Sequence, residues 1–370
     1  MSEIRALHES DIASVASLFQ RMLRKSRNPA PPSLEEYLKS VFLAGPDLDP
    51  EIVSRVHVRD DGRISGFIGV LSLPLLLDER PLRGAICGTL MVDGHEQDPF
   101  AGARLLRAFL AGPQDISLTE TANDVSTAMW RKLRATVLPD HSLEWLRIIK
   151  PAGFCVEMAA NITGSARLFA PLARPVDALI RRKPAEESRW TDVPVGGPPG
   201  QALATKEADE EATIELIAKF TSAFAVRPQW RPESLRRMVS ESHRKALYGQ
   251  MVRRVVATRD GRPAGLFLYY GDPGRIGRVV QILAAPGQAG PVIDSMVRHA
   301  GESGIVALRG RTQPTLLDAM LGRRFAFVHA SSSVVHARNP ALIEPFRSGR
   351  AFFNGFAGES WSRLIGDRFD

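Results

Sequence analysis

The chain is expected to be an α/β protein built twice, each unit a mixed, mostly antiparallel twisted sheet flanked by helices. Three observations lead there. A phrase recurs about two hundred residues apart, HVRDDGRISGFIGV at 57–70 and VATRDGRPAGLFLY at 256–269. In both, a strand enters an Asp-Gly turn, where Gly supplies positive φ and Asp can bond the local backbone, and a second strand begins around Gly66 or Gly265. The order of the elements that follow repeats as well. Finally, 370 residues exceed the size at which one hydrophobic core usually stops growing.

The first unit opens with a strand at Ile4–Leu7 and a helix from Asp11 to Leu23. That helix carries Ile12, Val15, Leu18, Phe19 and Leu23 at helical spacing, with Ser10 and Asp11 as caps. A second helix, Ser33–Phe42, ends before the Gly45-Pro46 breaker. Strands are expected at Glu51–Arg59, Ile64–Leu71 and Ala85–Val92, then a helix Phe100–Leu110, a strand Asp115–Thr121 and a helix Asp124–Arg134. Leu143–Ile149 and Gly153–Ala159 read as closing strands, or as a strand following a short helix. Ala166–Arg182 reads as helical, and the Pro/Gly-rich 183–200 as a linker.

The second unit repeats the order. Helices are expected at Ala208–Phe220 and Pro232–Ser240, then the second hairpin, a strand Arg278–Ala285, a helix Pro291–Ala300, a strand Ile305–Arg309, a helix Pro314–Leu321 and strand-like Phe325–Ala337. The division is therefore 1–165, a connecting helix and linker at 166–200, a second unit at 201–345, and a tail at 346–370. Phe352, Phe353, Phe356, Trp361 and Phe369 make that tail too aromatic to leave in water.

Hydrophobic residues at 44% and charged residues at 24% are ordinary for a folded chain. Cys87 and Cys155 lack CxxC spacing and lie in apolar stretches, so reduced, buried thiols and a cytoplasmic location are expected. The first residues lack a signal-peptide core, and the most apolar run, Val70–Leu77, is short and broken by Pro74, so no membrane span is expected. The net charge of +7 is mild, yet residues 227–262 hold ten basic side chains against Glu233, Glu241 and Asp260. Such an excess draws anions, a nucleotide cofactor or nucleic acid among them; it reads equally as a solvated arginine-rich surface. No nucleic-acid motif accompanies it. The histidines form no ligand cluster, so no metal is expected, and there is no GxSxG or paired Cys-His nucleophile. Gly271–Gly277 has the composition of a phosphate loop but joins two strands of the meander.

Helix, helix, three-strand meander, helix, strand, helix and closing strands, met twice, resemble a tandem of domains of the GNAT acyl-CoA N-acyltransferase superfamily. The resemblance covers most of both halves. It implies acetyl-CoA or another acyl-CoA as co-substrate, set between splayed fourth and fifth strands. The family's R/Q-x-x-G-x-G/A motif holds the pyrophosphate on backbone N–H groups at the start of the next helix, where donors are unpaired and the helix dipole is positive. Aligned on Gln97, the motif runs to Gly102 through Ala101, with Ala103 following and Phe100 where glycine stands in the family. With strand residues Met91 and Val92, and Asn123 opening the next helix, these are the cofactor positions the resemblance implies; Asp98 would repel a phosphate. The second copy, Val280–Gly290, has no clear motif and reads as a non-binding or substrate-side domain.

Acyl transfer from a thioester asks for positioning, an oxyanion donor and a base for the ammonium. Glu120 at the end of the fifth strand, and Asp93, His95 or Glu96 past the fourth, are placed for base work. Tyr269 or Tyr270 could protonate the leaving thiolate, and tandem members of the superfamily that use a terminal carboxylate bring in Asp370. The expected function is acyl-CoA-dependent N-acylation, most simply acetylation, of an amine on a small molecule, amino sugar or peptide. The alternative is an inactive protein of the same fold that binds a ligand or partner. Nucleic acid ranks behind both, and the sequence is compatible with a homo-oligomer.

Overall fold

A computed structural model describes residues 2–94, 96–162, 173, 175–179, 193 and 203–369. Its core is two mixed sheets flanked by helices. The first contains β1 (Glu3–Ala6), β2 (Arg55–Val58), β3 (Ile64–Leu77), β4 (Arg80–Val92), β5 (Ile116–Ala122) and β6 (Thr136–Val137). The second contains β7 (Leu143–Ile148), β8 (Ala204–Glu207), β10 (Met251–Ala257), β11 (Pro263–Tyr270), β12 (Ile276–Ala284), β13 (Ala307–Arg311) and β14 (Ala326–His329). Strand β15 (Ser332–Ala337) enters the first sheet, and β9 (Val226–Pro228) pairs with β3 at its edge.

The spatial orders are β1-β2-β3-β4-β5-β15-β6 and β14-β7-β13-β12-β11-β10-β8. They correspond strand for strand, and among the described residues one strand pair in each, β4 with β5 or β12 with β13, is parallel. The last strands are exchanged. β7 lies between β13 and β14 of the second sheet, and β15 lies between β5 and β6 of the first. Leu143–Ile149 is thus a strand, as expected, but it closes the other sheet. The expected strand at Gly153–Ala159 is instead part of the helix Pro151–Ile162, whose Cys155 is exposed and not buried as expected, and Phe325–Ala337 is two strands in different sheets. Alternation of apolar residues reports that a segment is a strand and says nothing of its partner.

The repeated glycines have one physical role. Gly62 and Gly261 hold φ of 80° and 83° in the two turns. At Gly66 a Cβ would stand 3.0 Å from Leu105, and at Gly265 2.4 Å from Val292, so each admits the crossover helix against the sheet. Strand β3 runs on through Pro74, six residues past its expected end. β2 leaves it at Ile68 and β9 joins only at Leu75, so the proline occupies an edge where a missing N–H is tolerated. Asp78 and Glu79, with φ of 45° and 68°, form the two-residue hairpin to β4.

Helices α1 (Ile12–Met22) and α2 (Pro32–Phe42) cover one face of the first sheet, burying Leu18, Phe19, Leu38 and Phe42 with Phe67 and Met91. Helices α3 (Ala101–Leu110) and α4 (Asp124–Lys132) cover the other, burying Leu105, Leu106 and Trp130 with Ile68 and Val70. The carboxyl-terminal segment packs along both sheets: Phe353 joins the core under β4 and β5, whereas Phe352 and Phe356 join that of β11 and β12. Nearly all of Ala166–Arg182 and the expected linker 183–200 lie outside the described residues. Among the described residues, no helix is long and apolar enough to cross a membrane.

Candidate active site

Strands β4 and β5 pair from Gly84–Ile116 to Ile86–Leu118 and then part. At the parting point β4 carries a bulge: Gly69 faces Thr89 and Val70 faces Cys87, so Gly88 is the extra residue. A bulge leaves its extra residue outside the ladder and kinks the strand. The second sheet does the same. β12 and β13 pair as far as Val279–Gly310, and Val280 is the extra residue between Leu268–Gln281 and Tyr269–Val279.

A groove of about 630 Å³ occupies the first gap. Its walls include Gly88 to Leu90 of β4, Thr121 and Ala122 of β5, Gly102 and Asn123 at the starts of α3 and α4, and Glu359 of the carboxyl-terminal segment. No side chain caps the first turn of α3. A Cβ at Gly102 would make only ordinary contacts of 3.6 Å with Met129 and Val92, so a small residue there keeps the helix start open without being demanded by packing. Asn123 caps α4, its Oδ1 accepting from Ser126 N–H at 2.9 Å. Asp98 also borders the groove, but Arg104 donates to its carboxylate, which offsets the charge expected to repel phosphate.

At the inner end lies a buried cluster of charged groups. Glu120 is fully buried on β5, and its carboxylate accepts from Glu359 N–H at 2.9 Å, Ser360 Oγ at 2.8 Å and Gly355 N–H at 3.3 Å. It fastens the carboxyl-terminal segment. A Cβ at Gly358 would fall 2.0 Å from Glu120 Oε2, so that approach requires glycine. Glu359, held there, is also buried and accepts from Thr121 Oγ1; its Oε2 stands 3.3 Å from where a Cβ of Gly88 would be. Burial first, and the neighbouring Glu120 charge second, push the Glu359 carboxyl up to about 8. Lys245, equally buried, donates Nζ to the Ser360 carbonyl, and burial brings it down to about 7 despite Glu120 and Glu359. From the second sheet, Arg311 donates to the Glu120 carbonyl at 2.6 Å.

The sequence-derived site residues thus separate. Val92, Gly102 and Asn123 line the groove, with Ala101 and Ala103 beside Gly102 at the helix start. Met91 points instead into the α1 core, because successive strand residues face opposite sides. Gln97 is exposed in the turn before α3. Glu120 reaches the site but as the anchor of the carboxyl-terminal segment. Asp93 faces Arg21 at 3.2 Å and Arg63 at 3.8 Å outside the groove. Tyr269 is core: it stacks on Phe267, and its Oη lies 2.8 Å from His299 Nδ1. Tyr270 is likewise buried, donating to the Ser242 carbonyl at 2.5 Å. His95 and Asp370 lie outside the described residues. Glu359 escaped the sequence reading; the only signal was its place between the glycines of NGFAGES and the buried tail.

The second gap differs at the decisive point. Gly355 and Phe356 occupy its inner end, where Phe356 N–H donates to Gln281 Oε1 at 3.2 Å and a Cβ at Gly355 would strike that oxygen. A groove of about 730 Å³ remains outside, along Ile282–Gly287, without reaching the bulge. The Arg323 guanidinium, fixed by Asp294, lies against Gly290 in the first turn of the helix Ala289–Glu302.

These paired splayed sheets have counterparts among solved structures. A conserved protein of unknown function from Enterococcus faecalis, titled a probable N-acyltransferase, matches with a TM-score of 0.59 at 10% identity, over 91% of this chain and 73% of that one. A GCN5-related N-acetyltransferase from Anabaena variabilis matches with a TM-score of 0.58 at 11% identity, over 92% and 73%. The chain has the GNAT fold. A third GNAT-fold neighbour, from Kribbella flavida, matches with a TM-score of 0.51 at 10% identity, over 91% and 71%. No family model and no curated protein matches the sequence. Among the described residues, no group of three or more His, Cys, Asp or Glu is arranged to hold a metal.

Proposed function

We propose that the chain is an acyl-CoA-dependent N-acyltransferase, working through the first groove, with the second unit shaping the acceptor side. The observation that carries this reading is the meeting, at one end of that groove, of the Gly88 bulge and the buried Glu359 carboxyl. The bulge offers backbone N–H to a thioester carbonyl oxygen as it gains negative charge. Glu359, as carboxylate, takes a proton from the acceptor ammonium. The amine nitrogen then bonds to the acyl carbon, the C–S bond breaks, and coenzyme A leaves as the thiol with the second nitrogen proton. Gly102 and Ala103 present helix-start N–H groups to the pyrophosphate.

The second unit fits a supporting part, because its inner gap is filled by Gly355 and Phe356. The acceptor is an amine of a small molecule, amino sugar or peptide. A second reading, an inactive GNAT-fold binding protein, draws on Phe100, which is exposed at the start of α3 where the family has glycine. In the basic stretch Arg227, Arg231, Arg236 and Arg262 each face a carboxylate, which weakens the case for nucleic acid.

Calorimetric titration with acetyl-CoA and longer acyl-CoAs separates the readings. Saturable binding that Gly102→Glu abolishes supports the enzyme and places the ligand in the first groove. Absence of binding by any acyl-CoA leaves the inactive binding protein.

A further inference from the structure

The groove between β4 and β5 reaches both faces of the sheet, and its two sides differ in chemistry. On the face covered by α3 and α4 it is lined by Val92 and Met129, and by Gly102 and Asn123 at the helix starts. On the α1 side it is lined by Phe19, by Leu23 just past the end of α1, and by Leu364 and Ile365 of the carboxyl-terminal segment. All four side chains are hydrocarbon. Phe19 and Leu364 pack in the α1 core, whereas Leu23, 52% exposed, carries the apolar surface out to solvent. The wall is held in place. Arg24 donates to the Leu364 and Asp367 carbonyls at 3.1 and 2.6 Å, and Tyr37 Oη accepts from Arg363 N–H at 2.9 Å. A preformed apolar surface left open along a groove marks a place for an apolar part of a ligand.

The order of groups along the groove decides which part. The helix starts that suit a pyrophosphate lie on the α3 and α4 face, and the Gly88 bulge, with Glu359 against it, lies where the strands part. A thioester whose carbonyl oxygen meets the bulge therefore has coenzyme A behind it on one face and its acyl carbons ahead of it on the other, against Phe19, Leu23, Leu364 and Ile365. An acetyl group ends at its methyl and leaves this wall in water, whereas a longer chain covers it. We propose that the groove selects an acyl-CoA carrying a medium-length aliphatic chain in preference to acetyl-CoA, and that Leu23 and Leu364 set this preference. The inference rests on the acyltransferase reading for the thioester. An acceptor ammonium gains nothing from the same wall, because hydrocarbon returns no hydrogen bond for the water it displaces.

Calorimetry on the full chain with acetyl-, butanoyl-, hexanoyl- and octanoyl-CoA reads the preference directly, and unacylated coenzyme A is the reference for the nucleotide end. Each added methylene that reaches the wall is expected to tighten binding by roughly three- to fourfold, so octanoyl-CoA should bind at least about tenfold more tightly than acetyl-CoA. Leu23→Gln, at an exposed position, should weaken octanoyl-CoA by about threefold or more while coenzyme A binds as it does to the wild type. Leu364→Gln tests the second wall position, and its own coenzyme A titration shows whether the groove is intact. Equal affinities for acetyl-CoA and octanoyl-CoA, weaker binding of the longer thioester, or a chain-length preference that survives both substitutions would overturn the proposal. In each of those cases acetyl-CoA still binds, and the acyltransferase reading stands. If none of the thioesters binds, that reading falls and the acyl preference falls with it.

Discussion

Glu359 is neutral at pH 7 because burial and the Glu120 charge both disfavour its ionised form, raising its pKa to about 8. The sign of the pH dependence follows. A carboxyl with a raised pKa becomes a base only as pH climbs through that value, so the acyl-transfer kcat/KM should rise between about pH 7 and 9 and level off above. Glu359→Gln, assayed with the same acceptor so that the amine's own titration cancels, should lower kcat/KM by roughly 10²–10⁴-fold and remove that limb. A profile identical to wild type would show that another group takes the proton. Glycines make a second contrast at this scale. Gly265→Ala drives a Cβ to 2.4 Å from Val292 and 2.5 Å from the Leu283 carbonyl, and should cost about 1–3 kcal/mol in urea unfolding. Gly62→Ala meets nothing within 4 Å and suffers only from its φ of 80°, so about 1 kcal/mol is expected.

Among elements, the carboxyl-terminal segment does the most for the site, because it carries Glu359, plugs the second gap and is held by Glu120. Glu120→Ala strands the N–H groups of Gly355 and Glu359 and the Ser360 hydroxyl in the interior. At ~1–3 kcal/mol for each unsatisfied donor, a loss of about 3 kcal/mol or more is expected in denaturant unfolding. A loss under about 1 kcal/mol would mean that the segment is held chiefly by Phe352, Phe353 and Phe356. The elements themselves were legible in the sequence because turn glycines and apolar periodicity are local signals. The paired hairpins, α3, α4 and the helix Pro314–Leu321 follow from them directly. Groove residues Val92, Gly102 and Asn123 were legible for the same reason, lying at strand ends and helix starts. Glu120 was visible as a strand-end carboxylate, but its role was not, since that depends on a segment 235 to 240 residues away. Met91 was misplaced by one step of the strand alternation.

At the scale of the whole molecule, the exchanged strands make each unit incomplete alone. Without the second half, the first sheet loses β15, which joins β5 to β6, along with Val335, Phe346 and Phe353 of the core against β4 and β5. Without the first half, the second sheet loses β7, which joins β13 to β14, and buried Trp145 with it. An edge exposed in mid-sheet presents unpaired backbone and apolar surface together, a template for aggregation. Residues 1–165 and 201–370 produced separately should therefore fail to unfold cooperatively and should aggregate. Produced together, they should associate into a heterodimer with the near-ultraviolet circular dichroism of the intact chain. Trp145→Ala in the first fragment should weaken that association, because the indole completes the second fragment's core. Cooperative unfolding of either fragment alone would show that strand exchange adds to units already stable. Failure of both, repaired on mixing, would make the groove between β4 and β5 a product of one joint folding event.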